Sequence, residues 1–252
     1  MNDLIKLDFE TDEGYGSRAR IGLIVLESDQ TIEVEAGFLD IDGVDFYHAR
    51  VPNEMEVTPE TLTDMKKRLP AAAALLPAEF GFDAIGYGCT SASTLIGDDG
   101  VADAIRSAHP DMACSNPIAA AVRAFSSLGA KRIAVITPYT ADVTQPIVDR
   151  FAANGFDVSA VGSFQESSDL VVARISEASI TAAVRQISAQ SDCDAVFVSC
   201  TSLRSLRFID AMEQAVGKPV VSSNLALYWH LIRMAGVTDH LDGFGTLFRT
   251  DL

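Results

Sequence analysis

The sequence predicts an α/β protein of two similar parallel-sheet halves related by a pseudo-twofold axis. Short aliphatic runs of strand length alternate with helix-like segments along the chain, the pattern of parallel sheets covered by helices. The order of elements also occurs twice. FDAIGYGCTS at Phe82–Ser91 returns as CDAVFVSCTS at Cys193–Ser202, and RIGLIV from Arg20 returns as RIAVIT from Arg132. Cys89 and Cys200 lie 111 residues apart and the two arginines 112, a nearly constant offset that describes a duplicated unit.

The elements follow in order. Arg20–Leu26 is a continuous aliphatic run and reads as a buried strand. Val44–Val51 is the second strand. Thr58 followed by Pro59 is an N-cap and first helical residue, opening a helix to about Leu76. Ala84–Gly88 is a strand and Asp98–Ala108 a short helix. Asn116 and Pro117 open a helix that ends near Gly129. Arg132–Thr137 (strand), Ala141–Ala153 (helix) and Phe156–Gly162 (strand) follow. Ser176–Gln190 is helical, Ala195–Ser199 a strand and Ser205–Val216 a helix. Lys218–Val221 is a last strand and Asn224–Ala235 a last helix. No low-complexity linker divides them. We assign 1–115 with 217–252 to the first half and 116–216 to the second.

Composition narrows the function. Lys and Arg total 19 against 35 Asp and Glu, a formal charge of −16 that repels phosphate backbones and anionic lipid. Nucleic-acid and membrane-surface roles are therefore not expected. No apolar run approaches the roughly 18 residues of a membrane span. The start, MNDLIKLDFETDEGYG, lacks the basic end and apolar stretch of a signal peptide, so the cytoplasm is the expected address. Four cysteines in a chain this long make no disulfide framework. None forms a C-x2-C pair and the four histidines are scattered, so no metal site is expected.

The chemistry lies in the repeated Cys-Thr-Ser. Each follows an apolar strand and so sits at its carboxyl end, where open α/β sheets bind ligands. In two pseudo-symmetric halves the loops can face one another across one cleft. A thiol on each side of a small substrate can take a proton from one face and return one to the other. Helix N-termini and hydrogen-bond donors can lower a thiol pKa from about 8.5 towards neutrality. The hydroxyls of Thr90, Ser91, Thr201 and Ser202, with the loop N–H groups, can hold a carboxylate and the charge that grows beside it. The alternative is packing, since free cysteine is often buried and hydroxyl residues cap helices. A matched polar tail after both cysteines favours chemistry. Cys114 and Cys193 lack that context. No G-x-S-x-G elbow makes Ser91 or Ser202 a hydrolase nucleophile, and no G-x-G-x-x-G follows a strand.

With two CTS loops, RIGLIV at the first strand and TPY at Thr137–Tyr139, the chain resembles the aspartate/glutamate racemase superfamily over roughly Arg18 to Val237. The nearer branch is that of maleate cis–trans isomerase and arylmalonate decarboxylase. The resemblance implies two Rossmann-like halves enclosing the site, with no cofactor and no metal. It puts Cys89 and Cys200 on the two catalytic cysteine positions, and Tyr139 on a tyrosine that contacts the substrate carboxylate. The decarboxylase keeps only the second cysteine, so Cys89 argues against plain decarboxylation.

Two departures stand out. Maleate isomerases carry asparagine where this chain has Asp29, and a second family asparagine aligns with Asp169. Amides suit a dicarboxylate, whereas two desolvated acids facing it would be costly. Asp29 and Asp169 suit an ammonium or amidinium group instead, although an exposed or helix-capping Asp29 is the structural alternative. DQT with GCTS and SCTSLRS is most similar to the ectoine-utilisation subgroup, which acts on hydroxyectoine-derived compounds. Arg204 and Arg207 more often pair with surface acids than reach a substrate.

The expectation is a cofactor-independent two-cysteine racemase or epimerase acting on a small carboxylate, amino-acid-like or hydroxyectoine-derived. Maleate cis–trans isomerase is the alternative within the branch, and a non-catalytic carboxylate-binding accessory protein the alternative outside it. A symmetric homo-oligomer is the expected assembly.

Overall fold

The computed structural model describes residues 4–252. The first half is built on β1 (Ala19–Leu26), β2 (Val44–Val51), β3 (Ala84–Gly88) and β4 (Cys114–Ser115). The second is built on β5 (Arg132–Thr137), β6 (Asp157–Ser163), β7 (Ala195–Val198) and β8 (Val220–Ser222). The sheets are parallel and run β2-β1-β3-β4 and β6-β5-β7-β8, the same order twice. Even the register repeats: Ile21 lies opposite Ala84 in one sheet, and Ile133 opposite Ala195 in the other. The central strands β1 and β5 carry RIGLIV and RIAVIT. Ile21, Leu23, Ile24 and Val25 are fully buried, as central strands covered on both faces require.

The helices are α1 (Ile32–Ala36), α2 (Pro59–Ala73), α3 (Thr90–Ile96), α4 (Asp98–Arg106), α5 (Pro117–Ser127), α6 (Ala141–Ala153), α7 (Asp169–Val172), α8 (Glu177–Gln190), α9 (Ile209–Val216) and α10 (Ser223–Met234). Four of them, α2, α5, α8 and α10, start where the N-cap side chain accepts from a free N–H of the first turn. Thr58 accepts from Thr61 N–H at 3.3 Å, Asn116 from Ala119 N–H at 3.0 Å and Ser176 from Ser179 N–H at 3.2 Å. Among the described residues no helix is long and apolar enough to cross a membrane.

The structure departs from the sequence reading in several places. The short helices α1, α3 and α7 lie where the sequence pattern predicts none; TSASTLI of α3 is rich in residues of low helix propensity, and α1 and α7 are only five and four residues long. Residues 205–216 divide into a 3-10 turn (Leu206–Phe208) and α9. The strand grouped with the first half at 217 is β8, which pairs with β7 in the second sheet. The chain returns to the first half only with α10, which packs on β3, β4 and α5. That helix is buried on nearly all sides, and its contact with β3 is so close that a Cβ on Gly86 would lie 2.7 Å from Leu231 Cδ1. The crossing of α10 brings the ends of β3 and β7 together.

Candidate active site

A small cavity of about 30 Å³ lies where the carboxyl ends of β3 and β7 meet, room for roughly one water. Cys89, Ser91, Tyr139, Asp169, Cys200, Thr201 and Ser202 line it, so seven of the nine predicted site residues converge there. The loop between β2 and α2 covers it. Asn53, Glu54, Glu56 and Val57 of that loop join the lining, and Val57 N–H donates to Ser167 O of the other half at 3.2 Å.

The two thiols are held differently. Cys89 is extended (φ −146°) and stands at the N-cap of α3, with Ser91 Oγ 3.8 Å from its sulfur. Cys200 has φ +105°, a left-handed conformation that a side-chain-bearing residue keeps only under constraint. The constraint is Ser223, whose Oγ accepts from Cys200 N–H at 2.9 Å and lies 2.7 Å from Thr90 Oγ1. One hydroxyl thus ties both Cys-Thr-Ser loops together. Thr201 Oγ1 adds a second tie, donating to Gly88 O at 3.2 Å.

The expected lowering of the thiol pKa values is overturned. Burial pushes Cys89 up to about 11, more than the Ala92 N–H and Ser91 hydroxyl bring it down. Cys200 is pushed higher still, by burial and then by the negative charge of Asp169. Both thiols are therefore neutral where they are buried in the cavity wall. Tyr139 is buried against them, and burial followed by the Cys200 and Cys89 sulfurs holds its phenol well above 10.

The acids divide as well. Asp169, at the start of α7, is 6% exposed and lines the cavity. It accepts hydrogen bonds from Ser28 of the first half and from Ser202 Oγ at 2.9 Å. Asn53 buttresses Ser28, accepting from its N–H and donating to its Oγ, both at 3.0 Å. Asp29 does not line the cavity. Its Oδ1 accepts from Thr31 N–H at 2.7 Å and Ile32 N–H at 2.8 Å, so it caps α1. Its Oδ2 is buried without a partner, and burial raises its pKa. Thr90 also stands outside the lining, turned to Ser223. Arg204 donates to Ile175 O and Arg207 lies over the Phe38 ring; neither reaches the cavity. The lining holds three acids and no Lys, Arg or His. Glu54 pairs with Arg68 at 2.8 Å and Glu56 is exposed to solvent, which leaves Asp169, with Asp29 behind it, as the main source of buried negative field.

Sequence reasoning passed over Ser28, Asn53 and Ser223. Ser28 adjoins Asp29 and could have been noticed there. Ser223 carries no local signal; its role exists only because α10 crosses to the first half.

The chain matches the arylmalonate decarboxylase family model over residues 21–248. It is 27% identical to the maleate isomerase of Nocardia farcinica, over 92% of this chain and 96% of that protein. It is 30% identical to the arylmalonate decarboxylase of Bordetella bronchiseptica, over 54% of this chain and 57% of that protein. Among solved structures, a Nocardia farcinica maleate cis–trans isomerase mutant with a covalently bound succinylcysteine intermediate superposes with a TM-score of 0.83 at 25% identity, covering 92% of this chain and 98% of that one. Fold, paired halves and sequence agree over nearly the whole length, and the chain belongs to the arylmalonate decarboxylase family.

Proposed function

We propose that this protein is a cofactor-independent racemase or epimerase that uses Cys89 and Cys200 on a small carboxylate bearing a cationic group, amino-acid-like or derived from hydroxyectoine. The observation that carries the reading is one cavity with a thiol from each half and a buried carboxylate, Asp169, with no basic residue lining it.

The high thiol pKa values fit this substrate class. Asp169 helps keep both thiols protonated, and an ammonium or amidinium group beside it cancels that field. Binding of the substrate therefore promotes loss of a thiol proton to solvent. Cys89 is the easier thiol to ionise, and the Ala92 N–H stabilises its thiolate. The thiolate takes the proton from the carbon next to the carboxylate and becomes a thiol. The electron pair is delocalised into the carboxylate, whose oxygens Tyr139 and Ser91 can hold by hydrogen bonds. The Cys200 thiol then gives its proton to the opposite face, leaving a thiolate facing the Ser202 N–H. The reverse turnover, or exchange with solvent, restores the first state.

The test is deuterium incorporation at the α-carbon in heavy water with chiral amino acids, ectoines and maleate as a panel. Wild type should exchange one of the cationic carboxylates and invert it. Cys89→Ser and Cys200→Ser should each abolish inversion. Turnover unaffected by either substitution would end the thiol mechanism.

Similarity to the maleate isomerases supports a second reading, in which a thiolate adds to the double bond of maleate, the resulting single bond rotates with the electron pair held in the adjacent carboxylate, and that pair expels the thiolate to form the trans double bond. Conversion of maleate to fumarate with no exchange on the cationic carboxylates would select it. Ligand binding with no turnover of any panel member would select the non-catalytic reading.

A further inference from the structure

The segment behind the second thiol is held by a buried acid that the mechanism above does not use. Glu35, on α1, is 4% exposed. Its Oε1 accepts from Ser205 N–H at 2.8 Å and Leu206 N–H at 2.9 Å, at the start of the 3-10 turn that follows the second Cys-Thr-Ser. Its Oε2 accepts from Asn224 Nδ2 at 2.7 Å, and the same amide nitrogen donates to Thr201 O at 2.9 Å. Thr31, on the first half, donates to Ser202 O at 2.8 Å. The backbone from Thr201 to Leu206 is thus held by Thr31 and Glu35 of the first half and by Asn224 of α10.

All three groups around Glu35 are N–H donors, an environment made for a carboxylate. A protonated acid brings a donor of its own and needs an acceptor. The candidate is Asn224 Oδ1, which is buried without a partner. Turning the amide over presents that oxygen to Glu35 but takes Nδ2 away from Thr201 O. One proton on Glu35 therefore breaks the bridge to the catalytic loop.

We propose that Glu35, through Asn224, is the positioning residue of the second Cys-Thr-Ser loop: ionised, it holds Thr201 and the Ser205–Leu206 turn in place, and protonated, it releases them while itself staying buried. Burial, reinforced by Asp29, raises the Glu35 pKa to about 7, so the exchange of states falls in the neutral range. The other groups facing this corner are Tyr228 of α10, whose hydroxyl donates to Ile32 O, and Glu33 on α1 itself. Arg204, Arg207 and Glu177 line a surface cavity that Glu35 also borders; Arg204 donates to Ile175 O and Arg207 lies over the Phe38 ring. The importance of this loop for turnover rests on Cys200 being a reacting thiol; the positioning itself does not.

Hydrogen exchange of the Ser205 and Leu206 amides, corrected for intrinsic rate, reads the clamp without a substrate. In wild type their protection should fall by about tenfold from roughly pH 8.5 to roughly pH 5.5, the loss expected when a hydrogen bond to a charged acceptor is weakened. Glu35→Gln should make the protection independent of pH, while a merely structural change would lower it equally at every pH. Flat protection in wild type, or the same pH dependence in Glu35→Gln, overturns the proposal. The wild-type series needs no substitution, so misfolding of the variant cannot conceal the answer. Cys200→Ser, with turnover measured separately, isolates failure of the thiol mechanism from failure of the clamp.

Discussion

Ser223 offers the sharpest test of how the site is assembled. It is fully buried, and its single hydroxyl meets both Cys200 N–H at 2.9 Å and Thr90 Oγ1 at 2.7 Å. Ser223→Ala leaves a buried N–H and a buried hydroxyl without this partner. At about 1–3 kcal/mol for each unsatisfied group, partly relieved by rearrangement, the expected loss is about 2–4 kcal/mol of folding stability. That is a large part of the ~5–15 kcal/mol typical of a folded chain. The same bond helps hold Cys200 at φ +105°, a conformation that costs about 1–3 kcal/mol. Glycine adopts it freely, so Cys200→Gly should be more stable than Cys200→Ala by about 1 kcal/mol, reversing the usual order in which glycine is the worse by about 0.5–1 kcal/mol. Urea unfolding of both Cys200 variants, alone and with Ser223→Ala, completes a double-mutant cycle. The glycine advantage should shrink when Ser223 no longer holds the loop. A Ser223→Ala loss below about 0.5 kcal/mol, the level of an ordinary surface change, would refute the reasoning. So would a Cys200→Gly variant less stable than Cys200→Ala.

Four further outcomes are expected. In the free protein, iodoacetamide should alkylate both site thiols slowly near neutral pH, with Cys89 ahead of Cys200, because burial holds both protonated; peptide mass spectrometry reads the order. Asp169→Asn should speed alkylation of both and weaken a cationic carboxylate by about ten- to a hundredfold while strengthening maleate, as calorimetry would measure; equal losses for both ligands with a lowered melting temperature would contradict a charge role. Glu35 has its folded pKa raised from 4.5 to about 7, so the native state holds the proton more tightly and stability from this group falls as pH rises between those values, by about 3 kcal/mol at ~1.4 kcal/mol per pH unit. The stability of wild type relative to Glu35→Gln, from urea unfolding, should decline by that order between about pH 5 and pH 8. Asp29→Asn keeps the oxygen that caps α1 and removes a carboxylate whose pKa burial raises, so its melting temperature should equal or exceed wild type at neutral pH and lose that advantage in acid.

The sequence by itself determined the doubled architecture and the position of the two thiols. Strands such as Arg132–Thr137 and helix starts such as Pro59 and Pro117 are local signals, written in aliphatic runs and capping residues, and the Cys-Thr-Ser repeat marks equivalent strand ends. The resemblance drawn from those motifs reached the right family. Tertiary structure decided everything that depends on what lies across the cleft. Asp29 and Asp169 look alike in the sequence, yet one caps a five-residue helix and the other enters the cavity. The thiols were expected to be acidified by neighbouring donors, but enclosure by both halves removes the water that would solvate a thiolate, and desolvation outweighs the donors. Ser223 and Asn224 touch the Cys-Thr-Ser loops and Glu35 because α10 crosses from the second sheet to the first and brings side chains over a hundred residues apart into contact. Burial and long-range partners are properties of the packed chain, and a pKa or a hydrogen bond set by them has no counterpart in the local sequence.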